Sequence, residues 1–275
     1  MRRHELSDAE WEFVRPLLPE SLRGRKRLDD RRVLNGIVWK FRTGTAWRDV
    51  PDRYGPWATL HTRFRRWAAD GTFDRMLRAA QAKADAAGDI DWLVSVDSTI
   101  VRAHQHAAGA RKGGRAPALG RSRGGLTSKI HLACDGRGRP LSFVVTGGNS
   151  NDCTRFTAVI DAIRVPRIGP GRPRTRPDHV LGDKGYSSKA IRAWLRRRGI
   201  PHTIPERADQ TGNRARRGRR GGRPPAFDRE VYKHRNVVER CFNRLKQWRG
   251  IATRYDKTAQ SYEAAVTLAS LLMWA

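Results

Sequence analysis

Apolar residues in the first third of the chain recur at helical spacing, with polar residues filling the gaps. "LSDAEWEFVRPLLP" opens with Ser7 at an N-cap and Glu10 three residues on, a capping box, with Leu6 and Trp11 placed to staple it. Pro16 to Pro19 end that helix. A second helix is predicted from about Asp29 to Thr43, where Val33, Leu34, Ile37, Val38 and Phe41 share one side and Gly44 is the stop. In "PWATLHTRFRRWAADG", Trp57, Leu60, Phe64 and Trp67 form an apolar stripe, while His61, Thr62, Arg63, Arg65 and Arg66 occupy the other faces. A fourth helix is predicted from Phe73 to about Ala87. Short helices with one basic face fit a helix-turn-helix-like DNA reader and equally an ordinary bundle with solvated arginines.

From Asp91 the period changes. "WLVSVDSTIV" is a β-rich apolar run, and "SKIHLACDGRGRPLSFVVTGG" holds two extended runs with Asp135-Gly136 near the turn between them. A helix ("NDCTRFTAVIDAIR"), a strand ("DHVLGD"), a helix ("SKAIRAWLRRRG"), a strand ("IPHTIP") and a long helical region from about Asp228 follow. The order β-β-β-α-β-α-β-α predicts an α/β fold, a mixed sheet flanked by helices whose first three strands form a meander. The organisation expected is a helical domain over 1–88 and an α/β domain over 89–275. Three stretches rich in Arg, Gly and Pro interrupt the pattern, His104 to Gly125, Gly169 to Pro177 and Arg207 to Pro225; each is expected to be mobile without a partner and suited to tracking phosphates.

Composition narrows the partner. The 275 residues carry 56 Lys and Arg against 27 Asp and Glu, a formal charge of +29, while 38% apolar residues still permit a packed core. A polyanion is the expected partner, and nucleic acid is favoured over lipid because no window approaches the ~20 apolar residues of a spanning helix. "MRRHELSDAE" lacks the apolar core of a signal peptide, so a soluble, cytoplasmic protein is expected. Cys134, Cys153 and Cys241 form no CxxC pair, which argues against a disulfide framework or a thiolate zinc site; they read as small buried residues.

Three carboxylates stand where their surroundings do not favour them. Asp97 lies inside "LVSVDSTIV", where an ionised side chain needs a compensating charge unless it faces solvent. Asp183 stands where "HVL" ends in "GDKGYSS", at the carboxyl end of a strand, where ligands collect in open sheets. Glu239 is surrounded by Lys and Arg in "YKHRNVVERCFNRLK", and helical spacing brings Tyr232, Arg235, Glu239 and Lys246 to one face. A surface ion pair would account for Glu239 alone. All three together suit hard divalent cations: two Mg²⁺ about 3.5 to 4 Å apart, with Mn²⁺ as a substitute, clamp the attacking and leaving oxygens of a phosphoryl displacement. Tyr232, Arg235 and Lys246 are then placed to hold flanking phosphates. "HQH" at His104 to His106 suggests an imidazole site, but no third His or Cys has suitable spacing.

With these residues in view, the chain resembles the DDE transposases of bacterial insertion sequences, in the insertion-sequence-five family and close to its insertion-sequence-four relatives. The Tyr-x2-Arg-x3-Glu-x6-Lys signature of that group is matched without gaps by Tyr232, Arg235, Glu239 and Lys246. "VDSTIVRAH" resembles the family's first-aspartate strand, "GGLTSKIHLACDGRGRPLSFVVTGGNSND" its hairpin, "GDKGYSS" its second-aspartate turn, and the N-terminal segments its DNA-binding region. The resemblance implies an RNase H-like catalytic domain with Asp97, Asp183 and Glu239 as metal-binding triad. It also implies a homodimer on DNA that binds terminal inverted repeats, cleaves at the element ends, joins the 3′-hydroxyls to target DNA and associates with the nucleoid. Arg63, Arg65 and Arg66 are the nominees for base contacts. Only 55 residues separate Asp183 from Glu239, too few for the large β-rich insertion that some relatives carry. A decayed or domesticated transposase acting as a DNA-binding repressor is the alternative.

Overall fold

The computed structural model describes residues 3–19, 28–108, 118–122 and 124–275. Part of the interruption predicted from His104 to Gly125 therefore lies outside the described residues. Four helices come first: α1 (Asp8–Val14), α2 (Asp30–Thr43), α3 (Trp57–Ala69) and α4 (Thr72–Ala86). Ser7 and Glu10 make the expected capping box, and Asp29 caps α2 through the Arg32 amide. Gly44 ends α2 at φ 74°, a left-handed conformation that costs a residue without a side chain little.

Strand β1 (Leu93–Ala103) follows, then α5 (Gln105–Ala108), β2 (Gly120–Ser122), β3 (Gly125–Cys134) and β4 (Pro140–Gly147). β1, β3 and β4 form the predicted antiparallel meander, with Asp97 opposite Leu132 and Ser98 opposite His131. α6 (Phe156–Asp161), β5 (His179–Gly182), α7 (Lys189–Arg197) and β6 (His202–Thr203) complete the alternation. β5 pairs parallel to β1 and β6 parallel to β5, so the sheet runs β4-β3-β1-β5-β6 with β2 on the edge of β3. The expected order of strands and helices is present.

Two expectations are corrected. The stretch from Arg207 to Pro225 is not plain loop: it contains α8 (Ala208–Arg216) and a further 3-10 turn. Gln210 anchors that helix by accepting from the Ser187 hydroxyl and donating to the Ser187 carbonyl at 2.7 Å, and Arg214 pairs with Glu206. The long helical region from about Asp228 is also not helical throughout, since a short strand interrupts it. It divides into α9 (Arg229–Lys233), α10 (Asn236–Lys246), α11 (Arg249–Ala252), β7 (Thr253–Arg254) and α12 (Ala259–Leu271). The break follows from Arg254, whose fully buried guanidinium donates to Ser128 Oγ at 2.7 Å and to the Ala118 carbonyl at 3.0 Å, drawing its segment alongside the end of β1.

α12 is buried almost throughout from Tyr262 to Leu271, with only Glu263 partly covered, so it needs neighbours on nearly every side. It packs on α3, α4, α10, α11 and β4, and this joins the N-terminal helices and the sheet in one buried cluster.

Candidate active site

The register places two of the carboxylates. β5 pairs with β1 from Leu93↔His179 to Val96↔Gly182 and then ends. Asp97 and Asp183 are each the next residue after that last pair, on strands spaced about 4.8 Å apart. Among the described residues β1 runs on without a parallel neighbour until β7 joins it at Arg102, so the sheet opens beside Asp97. Ligands collect at such an opening at the carboxyl end of a parallel strand. The Asp183 carboxylate accepts from the Gly185 amide at 2.8 Å, which fixes the turn that carries it.

Glu239 arrives from above. α10 buries Val237, Val238, Cys241, Phe242 and Leu245, and Cys241 packs on Cys134 of β3, so the exposed Glu239 is turned to the open side. Arg235 lies between the acids: its Nη1 is 3.4 Å from Asp97 Oδ2, and its Nη2 donates to Glu239 Oε1. Burial pushes the Asp97 carboxyl up to about 6, with the charges of Asp183 and Glu239 adding to the rise while the Ser98 amide and Arg235 oppose it. Asp183 and Glu239 thus both lie near enough to act on Asp97, and all three offer the hard oxygen donors that a divalent cation takes. Among the described residues, however, no three His, Cys, Asp or Glu side chains stand close enough together to hold a metal ion. The donor chemistry fits; in this conformation Arg235 occupies the space between Asp97 and Glu239.

Tyr232 sits at the end of α9 with its ring 5.0 Å from that of Phe227. Its phenol is raised mainly by burial, and Asp183, Glu239, Asp97 and Arg235 all act on it, which places it at the same site. Lys246 lies one step further along β1, where its ammonium donates to the Ile100 carbonyl at 3.4 Å. The helical stripe read in the sequence is brought to the site although the helix breaks between Tyr232 and Asn236. The three arginines of α3 are elsewhere. Arg63 is held by Asp30 at 2.9 Å and lies over Trp67, whereas Arg65 and Arg66 are exposed beside the start of α12.

One turn at the site was not read from the sequence. Asn151–Thr154 leaves β4 and crosses behind the two aspartates: Asp152 Oδ1 accepts from Ser98 Oγ at 2.8 Å and from Lys129 Nζ at 3.0 Å, and the Cys153 thiol donates to the Gly185 carbonyl at 2.8 Å. It therefore ties the strand that carries Asp97 to the turn that carries Asp183. Its signal was "NSND", whose Asn151 side chain accepts from the Cys153 amide two residues on, but helix initiation carries the same signal.

Comparison with known proteins bears on the chain as a whole. A family profile described as "Transposase DDE domain" matches residues 89–274, and one described as a candidate "transposase of IS4/5 family" matches residues 6–77. A candidate transposase of insertion sequence element IS402 from Burkholderia cepacia is 32% identical over 76% of this chain and 89% of its own length. A candidate transposase of element IS6501 from Brucella ovis is 28% identical over 54% of this chain and 98% of its own. Protein y4sN of Sinorhizobium fredii is 43% identical over 41% of this chain and 89% of its own. Among solved structures, a Mos1 transposase paired-end complex with left transposon end covers 82% of this chain and 80% of that one, at 10% identity and a TM-score of 0.27. Among the described residues, no helix is long and apolar enough to cross a membrane.

Proposed function

The chain belongs to the DDE transposase family of bacterial insertion sequences, and from that premise we propose that it binds the terminal inverted repeats of such an element, hydrolyses phosphodiester bonds at its ends and joins the freed 3′-hydroxyls to target DNA. The observation that carries this reading is the Val96↔Gly182 pairing, which sets Asp97 and Asp183 side by side where the sheet opens, below Glu239. The strand order suits an RNase H-like catalytic fold over residues 89–275. The helices of residues 1–88, with Arg65 and Arg66 exposed, suit a helix-turn-helix-like reader of the ends.

Asp97, Asp183 and Glu239 are the residues to hold two divalent cations, Mg²⁺ or Mn²⁺. When bound, such ions neutralise charge at the attacking and leaving oxygens of an in-line displacement. The chain's own groups do the rest. Arg235 and Lys246 offer cationic donors to phosphates on either side of the scissile bond, and Tyr232 offers a hydroxyl and a ring. The Asn151–Thr154 turn keeps the two aspartates in register, and burial of Asp97 favours the entry of positive charge beside it. Two ends must be handled together, so the working form is a homodimer on DNA.

The test is an end-cleavage assay with and without Mg²⁺. Asp97→Asn, Asp183→Asn and Glu239→Gln are each expected to abolish nicking while end binding by gel shift persists. Nicking retained by any one of them removes that residue from the triad. End binding without nicking by the unaltered chain leaves the repressor reading instead.

A further inference from the structure

The His104-x-His106 motif finds a place away from the carboxylates. Where the N-terminal helices meet the end of β1, a cavity of about 300 Å³ is walled by Trp47, His104, His106 and Tyr255, with Lys40 and Asp256 at its floor. The His104 ring lies 4.5 Å from that of His106 and 5.0 Å from that of Tyr255. Trp47 is braced from behind by Phe41 and Phe64 at 5.9 and 5.5 Å. Four rings in its lining and a volume at the small end of ligand sites suit one planar ring system.

The floor says what edge that ring system must present. The side chains of Lys40 and Asp256 are 3% and 8% exposed, yet Lys40 Nζ and Asp256 Oδ2 are 4.0 Å apart, beyond hydrogen-bond length. Among the described residues Asp256 Oδ2 has no hydrogen-bond partner, and the Lys40 ammonium otherwise meets the rings of Phe41 and Trp47. An ammonium with three donors and a carboxylate with acceptor sites to spare are costly to leave unmatched in a buried place. A ligand carrying donors and an acceptor on one edge satisfies both. Next door, His61, whose ring is 5.2 Å from that of Trp47, borders a second cavity of about 410 Å³ lined by Arg65, Arg66, Thr258 and Ser261. That cavity offers guanidinium groups to phosphates beside the first.

We propose that the cavity walled by Trp47, His104, His106 and Tyr255 takes one unpaired nucleobase of the bound DNA, guanine best, with Asp256 accepting from its ring and amino N–H groups and Lys40 donating to its carbonyl oxygen. The inference rests on the DNA-binding reading above and adds a site to it. His104 lies seven residue steps of nearly extended chain beyond Asp97, about 23 Å at ~3.3 Å per residue. The pocket thus grips DNA far from the bond that is cut, and the extruded base is read by stacking and by its pairing edge.

The experiment uses the full chain and labelled single strands of about 12 nucleotides built from abasic sites, carrying at the centre no base, one guanine or one thymine. The base-free strand reports phosphate contacts alone. One guanine is expected to tighten binding about tenfold, thymine less, and the gain is expected to vanish in Tyr255→Ala and Asp256→Asn while base-free binding is unchanged. His106→Ala, at an exposed wall position, serves should Tyr255→Ala not fold. Guanine without a gain, a gain equal for thymine, or a gain kept by these variants overturns the proposal. A base-free strand that does not bind while duplex element ends do also overturns the proposal; ends that do not bind overturn the DNA reading itself, so the two failures are told apart by the DNA that shows them.

Discussion

At the residue scale, the most informative side chain is Arg235, because it holds two acids that a cation site needs to share. Its positive charge between Asp97 and Glu239 opposes the entry of another cation. Arg235→Ala is therefore expected to tighten Mn²⁺ binding by the DNA-free protein roughly fivefold, about 1 kcal/mol, read by electron paramagnetic resonance, while weakening DNA binding. Weaker Mn²⁺ binding would show that the guanidinium organises the acids rather than competing for them. His131 gives a pH dependence. Burial lowers its imidazole to about 4 from an ordinary 6.5, so the unfolded chain binds a proton between these values that the folded chain does not. Its contribution to stability is present above about 6.5 and is lost as pH falls towards 4. His131→Asn is expected to flatten the melting temperature across that window, measured by circular dichroism.

At the scale of elements, the turn Asn151–Thr154 connects two segments that approach only in the folded chain. Asp152→Ala removes the acceptor of Ser98 and Lys129 and leaves a mostly buried ammonium with the Ser150 carbonyl alone. A loss of about 1–2 kcal/mol in stability is expected. If the turn sets the spacing of Asp97 and Asp183, the nicking rate should fall at least tenfold with the apparent Kd for DNA unchanged. A loss of stability with an unchanged rate would make the turn merely structural. The elements themselves were largely legible: Ser7 with Glu10, Gly44, and the alternation through "SKIHLACDGRGRPLSFVV" each gave the element the structure has, because caps and periods are local. The C-terminal region was misjudged because its break depends on Arg254 meeting Ser128 and the Ala118 carbonyl, more than a hundred residues away.

For the whole molecule, α12 is the element that makes one body of two compositions. Its buried residues from Tyr262 to Leu271 lie between the N-terminal helices and the sheet. Removing residues 1–88 bares an apolar helix, so the truncated chain is expected to lose its cooperative thermal transition or aggregate. A sharp transition near that of the full chain, by calorimetry, would show that residues 89–275 fold independently. The sequence by itself determined the alternation of strands and helices, the basic excess, and the candidate acids Asp97, Asp183 and Glu239, since each is a property of residue type and short spacing. Only the tertiary structure decided the rest. That Val96 pairs with Gly182, that Arg235 reaches both Asp97 and Glu239, that Asp152 bonds Ser98 beside Asp97, and that His104 and His106 line one cavity with Trp47 are relations between distant segments. Such contacts are fixed by which faces the packed core leaves open, and local periodicity carries no record of them.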